Sequence, residues 1–78
     1  MNNSILIVDD EKDILKFLDL ILRREGFQVA KASKAEKAIS LFQAQPFELV
    51  ITDIRMPGRM DGLDLMREIR ALDDDVEI

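Results

Sequence analysis

The sequence predicts an α/β fold built on a parallel sheet, and three observations carry that prediction. Short runs rich in branched apolar residues recur along the chain, as in "SILIV" and "FELVITDI", long enough for strands and too short for core helices. Between them the apolar residues are spaced three and four apart, the period of a helix. The two patterns alternate from one end to the other, β-α-β-α-β-α with a fourth strand starting, which is the order of parallel strands joined by right-handed helical crossovers.

Each element follows from its residues. The first strand, over 4–9, is a continuous apolar run suited to burial on both faces. A helix over 11–25 comes next. Ile14, Leu18 and Ile21 share a face that Leu15, Leu22 and Phe17 widen, while Lys12, Lys16, Asp19 and Arg23 lie largely elsewhere and Leu20 falls off the stripe toward solvent. Gly26 ends it, because glycine enters the left-handed region without a Cβ clash. Residues 27–32 are a more polar strand, fit for a sheet edge. Ser33 and Glu36 have capping-box spacing and open a helix over 34–45, with Ala35, Ala38, Ile39 and Phe42 on one face and a stop before Pro46. A third strand spans 47–54. A third helix, over 62–72, turns Leu65, Met66, Ile69 and Leu72 inward. Residues 73–75 are an acidic loop, and 76–78 begin the fourth strand.

Composition narrows the function. At 78 residues the chain is at most one small domain, and 47% hydrophobic content is enough for a core. No apolar stretch is long enough to span a membrane and no signal peptide opens the chain, so we read it as cytoplasmic. It has no cysteine and no histidine, which excludes disulfides, thiolate metal sites and the usual general base. The net charge is −5 and the basic residues are scattered along the sequence, so nucleic-acid binding by this chain alone is not expected.

The chemistry lies in the acids at the strand ends. Asp9 and Asp10 leave the first strand, and Asp53 leaves the third, at the edge where open α/β sheets bind ligands. A single aspartate after a strand is commonly only a turn former or a helix cap. A pair after one strand and another acid after a second, followed by a loop carrying Pro57, Gly58 and Gly62, points further. If the first and third strands are neighbours, three carboxylates converge, and a hard divalent cation such as Mg²⁺ relieves their repulsion. Asp61 and Asp64 read as first-turn acids favoured by the helix dipole, and Glu11 as another.

At these residues the chain resembles a known family. "ILIVDDE" followed by "LVITDIRMPGRMDGLDL" is similar to the receiver domain of bacterial two-component response regulators. The resemblance covers the whole chain. It implies a three-layer flavodoxin-like fold with strand order 2-1-3-4-5, cut short here after the third helix at the start of the fourth strand, so that 1–78 is a single incomplete receiver domain. It implies Asp53 as phosphoacceptor, taking a phosphoryl group from a sensor histidine kinase or phosphotransfer protein. It further implies Mg²⁺ held by Asp9, Asp10, Asp53 and the backbone carbonyl of Arg55, with Ile14 and Phe17 on the first helix as candidate kinase-docking residues. Such a domain takes part in its own phosphorylation and is not a turnover enzyme. A carboxylate nucleophile needs no general base, so the lack of histidine is no objection.

The match has two departures. The loop has one residue more than the family pattern between proline and the Asp-Gly pair, with Arg59 the natural insertion. The Ser or Thr that ends the family's fourth strand and the lysine that ends its fifth are missing from this chain, which removes two stabilisers of the phosphoryl group. Ending there would also expose the edge of the third strand, and we expect a homodimer through that edge or by exchange of 76–78. The alternative to the phosphoacceptor reading is therefore a chemically impaired receiver fragment acting in interaction or self-association. A Mg²⁺-dependent phosphatase of another α/β family is weaker, because no Asp-x-Asp follows a strand.

Overall fold

Three strands, β1 (Ser4–Val8), β2 (Gln28–Ala32) and β3 (Leu49–Thr52), pair in parallel in the order β2-β1-β3. Among the described residues three helices alternate with them: α1 (Lys12–Arg24), α2 (Ala35–Ala44) and α3 (Gly62–Leu72). The computed structural model describes residues 3–53, 61–73 and 76–78. The expectations placed on Ile54, Arg55, Pro57, Gly58, Arg59 and the acids at 74 and 75 lie outside the described residues.

The apolar run of β1 is explained by burial on both sides, since all five of its residues are buried. Ile5 and Ile7 face one way, toward Leu15 of α1, with Leu18, Leu22, Val29, Leu49 and Ile51 packed around them. Leu6 and Val8 face the other way, into a larger cluster with Ala35, Ala38 and Phe42 of α2 and Leu65 and Ile69 of α3. The alternation of one strand's side chains thus divides the molecule into α1, sheet, and α2 with α3. Phe42 and Phe47 stack at the margin of the larger cluster, their ring centroids 6.1 Å apart.

Helix ends show how local chemistry positions each element. Gly26 has φ +94°, its N–H donates to the Arg23 carbonyl at 3.0 Å, and Phe27 N–H donates to the Leu22 carbonyl at 3.1 Å. These two bonds are a Schellman stop, which turns the chain into β2. The outer side of β2 is partly covered, because the Arg23 guanidinium donates to the Val29 carbonyl at 3.0 Å. On the far side of the sheet, Val50 N–H donates to the Glu77 carbonyl at 2.7 Å and Glu77 N–H to the Glu48 carbonyl at 3.2 Å. The chain's own residues 76–78 therefore lie along part of the β3 edge, held there also by Arg70, which donates to the Val76 carbonyl.

Three expectations need correction. The buried face of α1 is Leu15 with Leu18 and Leu22, whereas Ile14 and Ile21 are exposed. Apolar residues occupy so much of this helix that spacing alone could not choose its phase; contact with Ile5 and Ile7 does. At α2 the N-cap is Lys34, with no side-chain cap bond, so Ser33 and Glu36 sit one position out of phase for a capping box. That device occurs at α3 instead: the Asp61 carboxylate accepts from Leu63 N–H and Asp64 N–H, each at 3.0 Å, and Asp64 accepts from Asp61 N–H at 3.4 Å. Leu72, expected inward, is exposed, since the row that meets the core ends at Ile69 and Leu72 is the last helical residue.

Candidate functional site

The site is built where β1 and β3 end side by side. Val8 lies opposite Thr52 in the parallel register, so the next residue of each strand, Asp9 and Asp53, leaves the same edge. The ladder bonds continue one step past the strands: Asp9 N–H donates to the Ala32 carbonyl and Asp53 N–H to the Val8 carbonyl, both at 3.1 Å. Both backbones are therefore fixed by the sheet although their side chains leave it.

Asp9, Asp10 and Asp53 come together. Carboxylate oxygens from all three lie within 4.8 Å of one another, with Asp9 half-buried and Asp10 and Asp53 exposed. The Asp9 carboxylate accepts from Glu11 N–H at 2.9 Å. This local bond orients Asp9 and secures the turn into α1, whose N-cap Glu11 makes no side-chain cap bond. Sequence reasoning passed over Thr52, whose hydroxyl donates to the Asp53 carbonyl at 3.0 Å. A hydroxyl residue directly before a strand-end acid was the available signal.

The donor set is oxygen only, and its members repel one another when ionised. An arrangement of this kind fits a hard divalent ion such as Mg²⁺, which takes carboxylates, carbonyls and water, and does not fit a soft metal that seeks sulfur or imidazole. The Arg55 carbonyl, expected as a further ligand, lies outside the described residues. The candidate docking residues stand on α1 below this edge, with Phe17 62% and Ile14 41% exposed. No described helix is long and apolar enough to cross a membrane.

Comparison with known proteins adds to this geometry. A family model described as the response regulator receiver domain matches residues 5–78. The C4-dicarboxylate transport transcriptional regulatory protein DctD of Rhizobium meliloti (strain 1021) is 42% identical over 73 residues, which make up 94% of this chain and 16% of that protein. Sporulation initiation phosphotransferase F of Bacillus subtilis (strain 168) is 31% identical over 78 residues, 100% of this chain and 62% of that protein. Among solved structures, the response regulator protein TrrA of Thermotoga maritima, in complex with Mg²⁺-BeF, matches with a TM-score of 0.88 at 39% identity, covering 97% of this chain and 64% of that one. A structure of the histidine kinase ThkA in complex with TrrA matches with a TM-score of 0.87. The chain spans less than two thirds of the length of each of these proteins.

Proposed function

Because the chain belongs to the response regulator receiver domain family, we propose that it accepts a phosphoryl group on Asp53 from a phosphohistidine of a sensor histidine kinase or phosphotransfer protein, with Mg²⁺ held among Asp9, Asp10 and Asp53. The observation that carries this reading is the convergence of the three carboxylates within 4.8 Å at the carboxyl edge of β1 and β3.

In the proposed step a carboxylate oxygen of Asp53 attacks phosphorus and the P–N bond to imidazole breaks. Its electron pair leaves with the nitrogen, and an acyl phosphate remains on Asp53. The ladder bond from Asp53 N–H to Val8 holds the nucleophile's backbone, which serves a reaction governed mainly by positioning. Asp9, oriented by Glu11 N–H, and Asp10 would hold the cation. When bound, Mg²⁺ supplies neutralisation of charge on the phosphoryl oxygens.

Phe17 and Ile14 are apolar surface that the core leaves uncovered on α1, which supports that helix as the kinase-docking face. The ThkA–TrrA structure is of a histidine kinase in complex with a response regulator protein, which supports a kinase as the partner. Self-association is the remaining partner expectation; Glu77 already bridges to Leu49 on the edge it would use, and sedimentation at high protein concentration tests it. The phosphoacceptor reading is tested by intact mass after incubation with Mg²⁺ and a small acyl phosphate. One added phosphoryl group, lost in Asp53→Ala, is expected; a folded, Mg²⁺-binding chain that takes up none refutes the reading.

A further inference from the structure

Folding gathers what the sequence scatters. Lys12, Lys16, Lys31 and Lys37 line one concavity of 240 Å³ together with Leu15 and Ser33. They are four of the chain's five lysines, in a protein whose net charge is −5. Lys12 and Lys16 stand one turn apart on α1, Lys31 lies in β2, and Lys37 is in the first turn of α2. Among the described residues no carboxylate lines the concavity. Lys31 reaches Asp19 at 3.6 Å, while among the described residues Lys12, Lys16 and Lys37 have no ion pair.

We infer that this concavity is a second site, which binds a compact phosphate-type oxyanion, either free phosphate or the phosphoryl group of a small donor. Size sets the class of ligand: the volume is below the roughly 300–1,000 Å³ typical of drug-sized ligands. Among the described residues no aromatic ring lines it for stacking a nucleotide base. Its wall is largely apolar, the lysine stems and Leu15, and the polar groups those residues carry are four ammonium groups and the Ser33 hydroxyl, donors that bind phosphate as point charges and by hydrogen bonds. Edge protection of β2 accounts for Lys31, since lysine on an edge strand discourages pairing, but not for the three lysines on helices. Lys12 follows Asp10 by two positions, so the positive concavity lies next to the acidic site. Resting here on the phosphoacceptor reading, its role is to draw in an anionic donor that three carboxylates would otherwise repel.

The test reads binding and not transfer. The ¹⁵N-labelled chain, without Mg²⁺ or any phosphoryl donor, is titrated with inorganic phosphate at constant ionic strength while backbone amides are followed. Saturating shifts confined to Lys12, Lys16, Lys31, Ser33, Lys37 and their neighbours are expected. Binding should weaken roughly tenfold or more in a Lys12→Gln, Lys37→Gln double variant, from the loss of two nearby charges. It should weaken comparably in a Lys16→Gln, Lys31→Gln variant and stay unchanged in Lys34→Gln, the lysine outside the concavity. Shifts that grow linearly, or that chloride reproduces, mean a diffuse ion atmosphere and overturn the proposal. A parallel titration with a small acyl phosphate assigns the tighter occupant as free phosphate or donor. Since Asp53 chemistry is not read, failure here leaves the phosphoacceptor reading to its own mass measurement, and the converse holds.

Discussion

Asp10→Asn should make the Mg²⁺-free protein more stable while removing most of what Mg²⁺ adds. The substitution keeps the shape of the side chain and deletes one charge from a cluster whose oxygens lie within 4.8 Å of one another. At that separation and the dielectric of water, a like-charged pair costs about 0.9 kcal/mol. The water value applies because Asp10 and Asp53 are exposed. Asp10 has two such neighbours, but Asp9 is adjacent in sequence and repels it in the unfolded chain as well, so that contribution largely cancels. Asp53 is brought close only by folding. The net gain is therefore about 0.9 kcal/mol at low ionic strength, which for a domain of this size raises Tm by roughly 4–7 °C. In 1 M salt the Debye length falls to about 3 Å and the gain should shrink to about 0.2 kcal/mol. Mg²⁺ at a hundred times its Kd adds about 2.7 kcal/mol to the wild type, and should add much less to the variant. Thermal melts followed by far-ultraviolet circular dichroism, in EDTA at low and high salt and then in Mg²⁺, measure all of these. A variant no more stable than wild type in EDTA at low salt, or a gain indifferent to salt, would show that the acids do not act as a mutually repelling cluster.

Other substitutions probe the scaffold. Gly26→Ala meets no neighbouring atom, yet it forces a residue with a Cβ to φ +94°; a loss of about 1–2 kcal/mol is expected in urea titrations, with Gly26→Asn losing less. Asp61→Ala removes the α3 capping box and should cost about 1 kcal/mol, measured the same way, whereas Ser33→Ala should cost little because Ser33 caps nothing. The hydrogen bond from the Arg23 guanidinium, with the nearby Lys31 charge, holds the Asp19 carboxyl below its ordinary value of 3.8. A depressed carboxyl stabilises the fold above its unfolded pKa, and that stabilisation disappears as pH falls through the folded value. The stability difference between wild type and Asp19→Asn should accordingly be full at neutral pH and close below pH 3.8; it should be small throughout, as this pair is at the surface.

The strand-end acids were legible because two local signals coincide there: an apolar run announces a buried parallel strand, and an acid closing it has one functional edge to occupy. The neighbouring placement of β1 and β3, which makes the cluster, was conditional in the residues and became an expectation only through the family resemblance. Other features could not be read locally. In α1 the apolar stripe that carries 14, 15, 17, 18, 21 and 22 is so wide that spacing does not fix its centre, and the sheet decides that Leu15 goes in and Ile14 stays out. Ser33 and Asp61 both carry a cap-like signature, and only the position at which each helix starts separates them. The four lysines looked dispersed because the α1 pair, 12 and 16, meets 31 and 37 only after β2 returns beside β1 and α2 departs from its end.

The unequal division of the core has a consequence for where the molecule yields. Among the described residues, eleven buried side chains form the cluster under α2 and α3, and three form the one under α1. The α1 layer thus rests on the smaller cluster, and its amides should exchange with solvent deuterium through local detachment before those of β1 and β3. The helix proposed to meet the kinase is also the helix that rests on the smaller cluster. Phe17 and Ile14 stand exposed on it, so a partner settling on α1 would add to the burial that Leu15 begins.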